Sequence, residues 1–108
     1  MRLDEKEGAI MLWRQGDVLI ETVAEIPAGG DPHHSPVLVY GEATGHSHRI
    51  EAPERAEVWE VGGELYLKVT DATRLLHDEH LPITLEPGLY HVWQQREYTP
   101  QAIVRVVD

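Results

Sequence analysis

Two short histidine clusters are the residues of this chain best suited to chemistry. The first is His46-Ser47-His48, which follows Gly45, and the second is His77-Asp78-Glu79-His80. Neutral imidazoles are the commonest metal ligands in proteins, and two pairs from separate segments can supply three or four corners of one coordination sphere. The sequence therefore predicts that one divalent metal ion is bound by His46, His48, His77 and His80.

The two clusters differ in the geometry they need. Side chains two apart on a β-strand point to the same face, so His46 and His48 project together from an extended segment. His77 and His80 would point to opposite faces of a straight strand, and they converge only if the two residues between them make a turn. The following Leu81-Pro82 favours that turn because it ends regular structure. If the segment stays extended, the convergent pair is His77 and Glu79 instead.

The carboxylates of the second cluster are the best argument for catalysis. A metal ion held by three protein ligands keeps a position for water and lowers the pKa of that water. Glu79 or Asp78 is then placed to move its proton. Four histidine ligands would instead make a closed, structural site, and the sequence does not choose between these two arrangements.

The identity of the metal is constrained by the ligand types. The chain has no cysteine, so any ion must be held by nitrogen and oxygen. We expect zinc, because nothing in the sequence demands redox chemistry. Three histidines with open positions would also suit iron, manganese or nickel.

Composition limits the partners of the protein. The formal net charge is −10, with nine cationic against nineteen acidic residues, which argues against a nucleic-acid partner. A small anionic substrate stays compatible with local arginines such as Arg49, Arg74 and Arg96. No apolar run is long enough to cross a bilayer, and residues 1–8 show no export signal, so we expect a cytoplasmic protein without a membrane partner. Acidic edges on a small fold are also compatible with a homodimer.

Periodicity predicts an all-β fold. Short β-branched and aromatic runs alternate with turn residues, and no stretch holds a helical repeat over three turns. We expect a small antiparallel β-sandwich or barrel of about eight short strands with little or no helix, forming one domain over residues 1–108, with 1–8 as a flexible or edge segment. The predicted strands are 17–23, 37–42, 46–51, 56–61, 64–70, 83–85, 90–95 and 102–107.

Glycine and proline mark the connections between these strands. Val61-Gly62-Gly63-Glu64 has the two glycines of a tight hairpin, which would place Trp59 and Leu65 on adjacent antiparallel strands. The segment 26–32, rich in glycine and proline, is expected to be a mobile loop without regular structure. Arg14-Gln15-Gly16-Asp17 is expected to be a turn that feeds the first strand and has no chemical role.

Part of this pattern resembles the two metal motifs of the cupin superfamily. The matching segments are Gly41 to His48, followed by Glu51, and Pro87-Gly88-Leu89-Tyr90-His91. In cupins an HxH, a following glutamate and a later histidine hold one divalent ion inside a β-barrel. The resemblance covers about a third of the chain. Glu51 follows His48 more closely than in the cupin pattern, and the second histidine cluster has no counterpart there.

Further polar candidates lie on the predicted strand 90–95 and in the run that ends it. His91 alternates with Trp93 and is expected to be either a further ligand or a buried, hydrogen-bonded histidine. Gln95 and Arg96 are candidates for substrate binding, and Tyr98 could donate a hydrogen bond to an oxyanion. The alternative for Arg96 and Tyr98 is a surface ion pair and an aromatic rim residue.

Three functional hypotheses follow from the sequence. The leading one is a small metal-dependent enzyme, of the hydrolase or oxygenase type, that acts on a small molecule. The second is a non-catalytic metal-binding or sensing module with the same ligands. The third is an acidic interaction domain whose histidines respond only to pH.

Overall fold

The fold of the protein is all-β, as predicted. A computed structural model describes residues 11–40, 45–95 and 106–107. Within these ranges the regular elements are strands, with one short 3-10 turn at Pro53–Arg55. No helix in the described part of the chain is long and apolar enough to cross a membrane. The segment 1–8, expected to be a flexible or edge segment, lies outside the described residues.

Eleven strands are present in the described ranges, where about eight were expected. In chain order they are β1 (Leu12–Gln15), β2 (Val18–Thr22), β3 (Asp31–Pro32), β4 (Val37–Tyr40), β5 (Ser47–Ile50), β6 (Ala56–Val61), β7 (Glu64–Val69), β8 (Thr73–Leu76), β9 (Ile83–Leu85), β10 (Gly88–Gln94) and β11 (Val106–Val107).

The strands form two sheets that pack as a sandwich. The larger sheet has the order β11-β1-β2-β10-β7-β6-β3, and the smaller has the order β4-β5-β8-β9. Neighbouring strands pair antiparallel except for β1 and β11, which pair parallel. Consecutive antiparallel strands need only short connections, which the frequent glycine and proline residues supply.

The core lies between the sheets because alternate residues of each strand face inward. In β7, for example, Leu67 and Val69 are buried while Lys68 between them is exposed. Both sheets contribute to one hydrophobic cluster, whose buried members are Val18, Ile20, Leu38, Ile50, Val58, Leu67, Val69, Leu75, Ile83, Leu85, Tyr90 and Val92.

The predicted double-glycine hairpin is confirmed. Gly62 and Gly63 have φ values of +60° and +83°, as a two-residue turn with the twist of a hairpin requires. Val61 pairs with Glu64 across the turn, and Trp59 and Leu65 lie on the paired strands β6 and β7.

Three strands depart from the expectation. Arg14 and Gln15, expected in a turn, end strand β1, and the turn itself is confined to Gly16 and Asp17. In the segment expected to be a mobile loop, β3 pairs with β6. Strand β8 was not predicted, because its sequence Thr-Arg-Leu-Leu is too short and too irregular to show a period of two.

Candidate functional site

Strand pairing brings the two histidine clusters together. Strand β5 pairs antiparallel with β8, with Arg49 opposite Leu76. One step further along this register, His48 lies opposite His77. The ring centres are 4.2 Å apart for His48 and His77, 5.6 Å for His46 and His77, and 6.5 Å for His48 and His80.

The second cluster bends rather than staying extended. Residues 78–80 form a bend after the end of β8. As a result the rings of His77 and His80 converge, with their centres 4.6 Å apart. Of the two alternatives drawn from the sequence, the structure adopts the one in which His77 and His80 approach each other.

Gln15 fixes the protonation pattern of His48. Its amide nitrogen donates to the backbone oxygens of Leu75 at 3.0 Å and Leu81 at 2.9 Å. Both amide hydrogens are thus used, so the Gln15 oxygen, 2.9 Å from His48 Nδ1, must accept. Neutral His48 then carries its proton on Nδ1 and a lone pair on Nε2. This is the arrangement in which a metal-binding histidine is held by an outer partner.

His48 is neutral at pH 7 in the absence of metal. It is only 3% exposed. Burial, reinforced by the neighbouring His77, lowers its pKa from 6.5 to about 4, although Asp17 acts in the opposite direction. A neutral imidazole with a directed lone pair is the form that binds metal.

Asp17 adds a carboxylate to the cluster from the turn between β1 and β2. Its Oδ1 lies 3.6 Å from His48 Nε2. Its Oδ2 accepts a hydrogen bond from Gln94 Nε2 at 2.6 Å. The carboxylate is therefore oriented toward His48 by a partner on β10.

His80 packs directly on the same turn. A Cβ atom placed on Gly16 would come within 2.8 Å of His80 Nε2, and Gly16 has a φ of +63°. Glycine is thus required here both for the backbone conformation and for the close approach of the histidine ring.

His77 is not oriented for binding as it stands. Its Nδ1 accepts a hydrogen bond from the backbone N–H of Glu79 at 3.0 Å, which occupies the lone pair of the neutral ring. In the described ranges, no group of three or more His, Asp or Glu side chains is positioned to hold a metal ion. The imidazole rings lie close together, but they must rotate before their nitrogens can bind the same ion.

The two acidic residues of the second cluster have different surroundings. Asp78 forms an ion pair with Arg49 at 2.9 Å, and this guanidinium lowers the pKa of Asp78. Glu79 is exposed, and its Oε1 lies 3.5 Å from His46 Nδ1. Glu79 is therefore the better placed of the two to exchange protons at the cluster, because a carboxylate with a lowered pKa is a weaker base.

A cleft of about 290 Å³ adjoins the cluster. It is lined by Arg14, Gln15, Glu79, His80 and Leu81. Two of these residues, Glu79 and His80, were predicted as site residues. Of the clustered histidines, His80 lines the cleft, which has room for a small molecule.

Of the remaining predicted residues, one contacts the turn that carries Asp17 and two lie outside the described ranges. Gln95 is described, and its backbone N–H donates to the oxygen of Asp17 at 2.7 Å. Arg96 and Tyr98, expected in substrate binding and catalysis, lie outside the described residues, so their roles stay predictions.

Two of the residues that carried the cupin resemblance, Glu51 and His91, have charged partners outside the histidine cluster. Glu51 forms a two-pronged ion pair with Arg74. His91 alternates with the buried Tyr90 and Val92, so it lies on the outer face of the larger sheet. There its ring nitrogens face Glu21 at 3.4 Å and Glu64 at 2.5 Å. The cupin resemblance itself stays a prediction.

Sequence reasoning missed Gln15, Asp17 and Gln94 as members of the site. The first two lie in a segment that was assigned no chemistry. One signal was available, because Gln15 shares a face of β1 with Trp13, which packs against the core. A glutamine at such an inward position needs buried hydrogen-bond partners.

Two glycine substitutions should separate backbone strain from contact with His80. Gly16→Ala and Gly62→Ala impose nearly the same backbone strain, since the φ values are +63° and +60°. Of the two, only the Cβ atom added at Gly16 would meet other atoms. We expect each variant to lose about 1–2 kcal/mol of stability from the left-handed backbone. Only Gly16→Ala should also weaken metal binding, because it displaces His80. Equal metal affinities of the two variants, measured by calorimetric titration, would contradict this role of Gly16.

The metal-free protein should lose stability in mild acid. Folded His48 has a pKa of about 4 against the usual 6.5, so between these values the unfolded chain binds a proton that the folded chain excludes. The free energy of unfolding should therefore fall as the pH decreases from 6.5 toward 4, by at most about 3 kcal/mol. Urea unfolding in the presence of a chelator measures this slope. A His48→Gln variant should show a smaller slope, and an unchanged one would refute the assignment.

The chain belongs to a family defined by sequence. Residues 14–95 match the family model described as Domain of unknown function (DUF8820). No curated protein and no solved structure matches the chain. The matched span runs from strand β1 to the end of β10, and it includes both histidine clusters and the residues that orient them.

Proposed function

We propose that this protein binds one divalent metal ion at its histidine cluster and acts as a small metal-dependent enzyme on a small molecule. The observation that carries the proposal is the contact between Gln15 and His48. A buried glutamine holds the ring of a buried histidine in one orientation, with Nε2 left as an acceptor, beside the rings of His77 and His80. Burying a glutamine and a histidine together costs stability unless both are fully hydrogen-bonded. The presence of this pair in the buried interior therefore favours a binding role for His48.

The spacing of the rings supports a shared ion. Two imidazoles that bind one ion at about 2.1 Å have ring centres roughly 4.6–6.5 Å apart for bond angles between about 90° and 180°. Three separations within the cluster, of 4.6, 5.6 and 6.5 Å, lie in this range, and the 4.2 Å between His48 and His77 is shorter, so these two rings must move apart to share an ion. Rotation of His77 away from the Glu79 backbone would bring a further nitrogen into this set. Zinc remains the expected ion, and iron, manganese or nickel also fit these ligands.

The adjoining cleft supports an open, catalytic site over a closed one. His80 and Glu79 both belong to the cluster and to the wall of the cleft. An ion held there would act as a Lewis acid toward a substrate carbonyl or phosphoryl oxygen, or would acidify a water molecule. Glu79, which is exposed and next to His46, would carry the proton. Hydrolysis of a small ester, amide or phosphate is the reaction class that needs only these groups.

Metal content tests the binding part of the proposal. The untagged protein is dialysed against zinc, nickel, manganese or anaerobic ferrous iron and analysed for bound metal. We expect about one ion per chain, lost in His46→Ala/His48→Ala. The matched control is His33→Ala/His34→Ala, which removes two adjacent histidines from a segment outside the cluster. Equal metal content in both double variants, or none in the wild type, would refute the proposal.

A substitution of Glu79 tests the catalytic part. The metal-loaded protein is screened with small esters, amides and phosphate esters. Glu79→Gln should keep the ion and lose about 100-fold or more in turnover, as expected for removal of a general base or acid. Glu54→Gln, which changes another exposed glutamate, should leave turnover unchanged. Turnover that survives Glu79→Gln would assign the proton transfer elsewhere.

A further inference from the structure

Asp17 and His48 face each other through two atoms that are both hydrogen-bond acceptors. Because His48 Nδ1 donates to Gln15, His48 Nε2 is a hydrogen-bond acceptor. The Asp17 oxygen that faces it, at 3.6 Å, is also an acceptor. Two acceptors that face each other repel unless a proton or a metal ion lies between them, so this contact is a place where a metal ion would be stabilised.

The distance between these two atoms suits a shared ion. Two ligand atoms about 2.1 Å from one ion lie about 3.0–3.6 Å apart for bond angles between about 90° and 120°. The observed 3.6 Å lies at the upper end of this range. No shift of the backbone is needed for both atoms to reach the same ion.

Each of the two side chains is also hydrogen-bonded through the atom that points away from the contact. Gln94 donates to the far oxygen of Asp17 at 2.6 Å, and Gln15 accepts from the far nitrogen of His48 at 2.9 Å. Ligating carboxylates and histidines in metal sites have such outer hydrogen bonds, which fix the orientation of the binding atoms. The two glutamines therefore act as positioning residues on the two sides of one contact.

We propose that Asp17 is a ligand of the metal ion, binding through Oδ1 opposite His48 Nε2, with Gln94 as its positioning residue. This rests on the proposed function and changes its ligand set. His80 lies against the adjacent Gly16, so the turn between β1 and β2 brings together a carboxylate and two histidines. A site with one carboxylate and two imidazoles has a lower net charge than four histidines. It binds harder ions such as manganese and ferrous iron better.

The test measures the binding of zinc and manganese to the wild type, Asp17→Asn and Asp17→Ala. Outer partners alone are worth about 10–100-fold in affinity, so loss of a ligand should cost at least about 100-fold for manganese. The loss for zinc should be smaller, because the histidines remain. Gln94→Ala should weaken both ions about 10-fold. Glu54→Gln, an exposed carboxylate elsewhere, should change neither affinity.

The outcomes separate this inference from the proposed function. If the wild type binds an ion and both Asp17 variants bind zinc and manganese with wild-type affinity, Asp17 is not a ligand while the histidine site stands. If the wild type binds no ion, the proposed function and this inference fall together. Circular dichroism of each variant shows that the sandwich is intact, and the near-isosteric Asp17→Asn serves if Asp17→Ala does not fold.

Discussion

Replacement of Gln15 by leucine is expected to cost about 2–4 kcal/mol of stability and about 10–100-fold in metal affinity. Gln15 is 2% exposed and makes three hydrogen bonds, to Leu75, Leu81 and His48. Each is worth about 1 kcal/mol net, and their loss removes the partner of two backbone acceptors and of the His48 Nδ1–H donor. The loss of affinity follows because His48 is no longer held in one orientation and tautomer. Chemical unfolding and calorimetric titration measure the two effects.

Thr73→Val is the matched control for this substitution. Thr73 is also buried, at 4% exposure, and its hydroxyl accepts a hydrogen bond from the Ala52 backbone. This variant should lose about 1–2 kcal/mol of stability with unchanged metal affinity, since the hydroxyl of Thr73 pairs with the Ala52 backbone and not with a histidine of the cluster. If Gln15→Leu loses stability but keeps its metal affinity, Gln15 has only a structural role.

Saturation with metal should raise the melting temperature by on the order of 20 °C. A ligand present at about 1,000 times its dissociation constant stabilises the folded state by about 4 kcal/mol. For a domain of this size, each kcal/mol moves the melting temperature by about 4–8 °C. A chelator should reverse the effect, and the His46→Ala/His48→Ala variant should show none. A melting temperature that zinc, nickel, manganese and ferrous iron all leave unchanged would contradict metal binding.

Much of the fold could be predicted from the sequence. The bounds of β6 and β9 and the Gly62-Gly63 hairpin follow from alternation and from turn residues. These are local signals, carried by neighbouring residues. The arrangement of the strands in two sheets, with β10 between β2 and β7, depends on long-range pairing that no local pattern records.

The histidines of the candidate site could be predicted from the sequence, but the residues that hold them in place could not. Histidine is distinctive in type and spacing, so both clusters could be singled out. Their meeting depends on the pairing of β5 with β8, a strand too short to recognise. Gln15 and Gln94 are ordinary strand residues in the sequence, and only the distances to His48 and Asp17 give them a role.

The protonation state of His48 tests most directly whether its ring is held with Nε2 free to bind a metal ion. Nitrogen-15 NMR of the histidine rings, recorded near pH 7 before and after addition of zinc, identifies which ring nitrogen bears the proton. We expect His48 to be protonated on Nδ1 without metal, and we expect zinc to shift its Nε2 resonance while Nδ1 keeps its proton. A His48 protonated on Nε2, or an Nε2 resonance that zinc does not move, would contradict it.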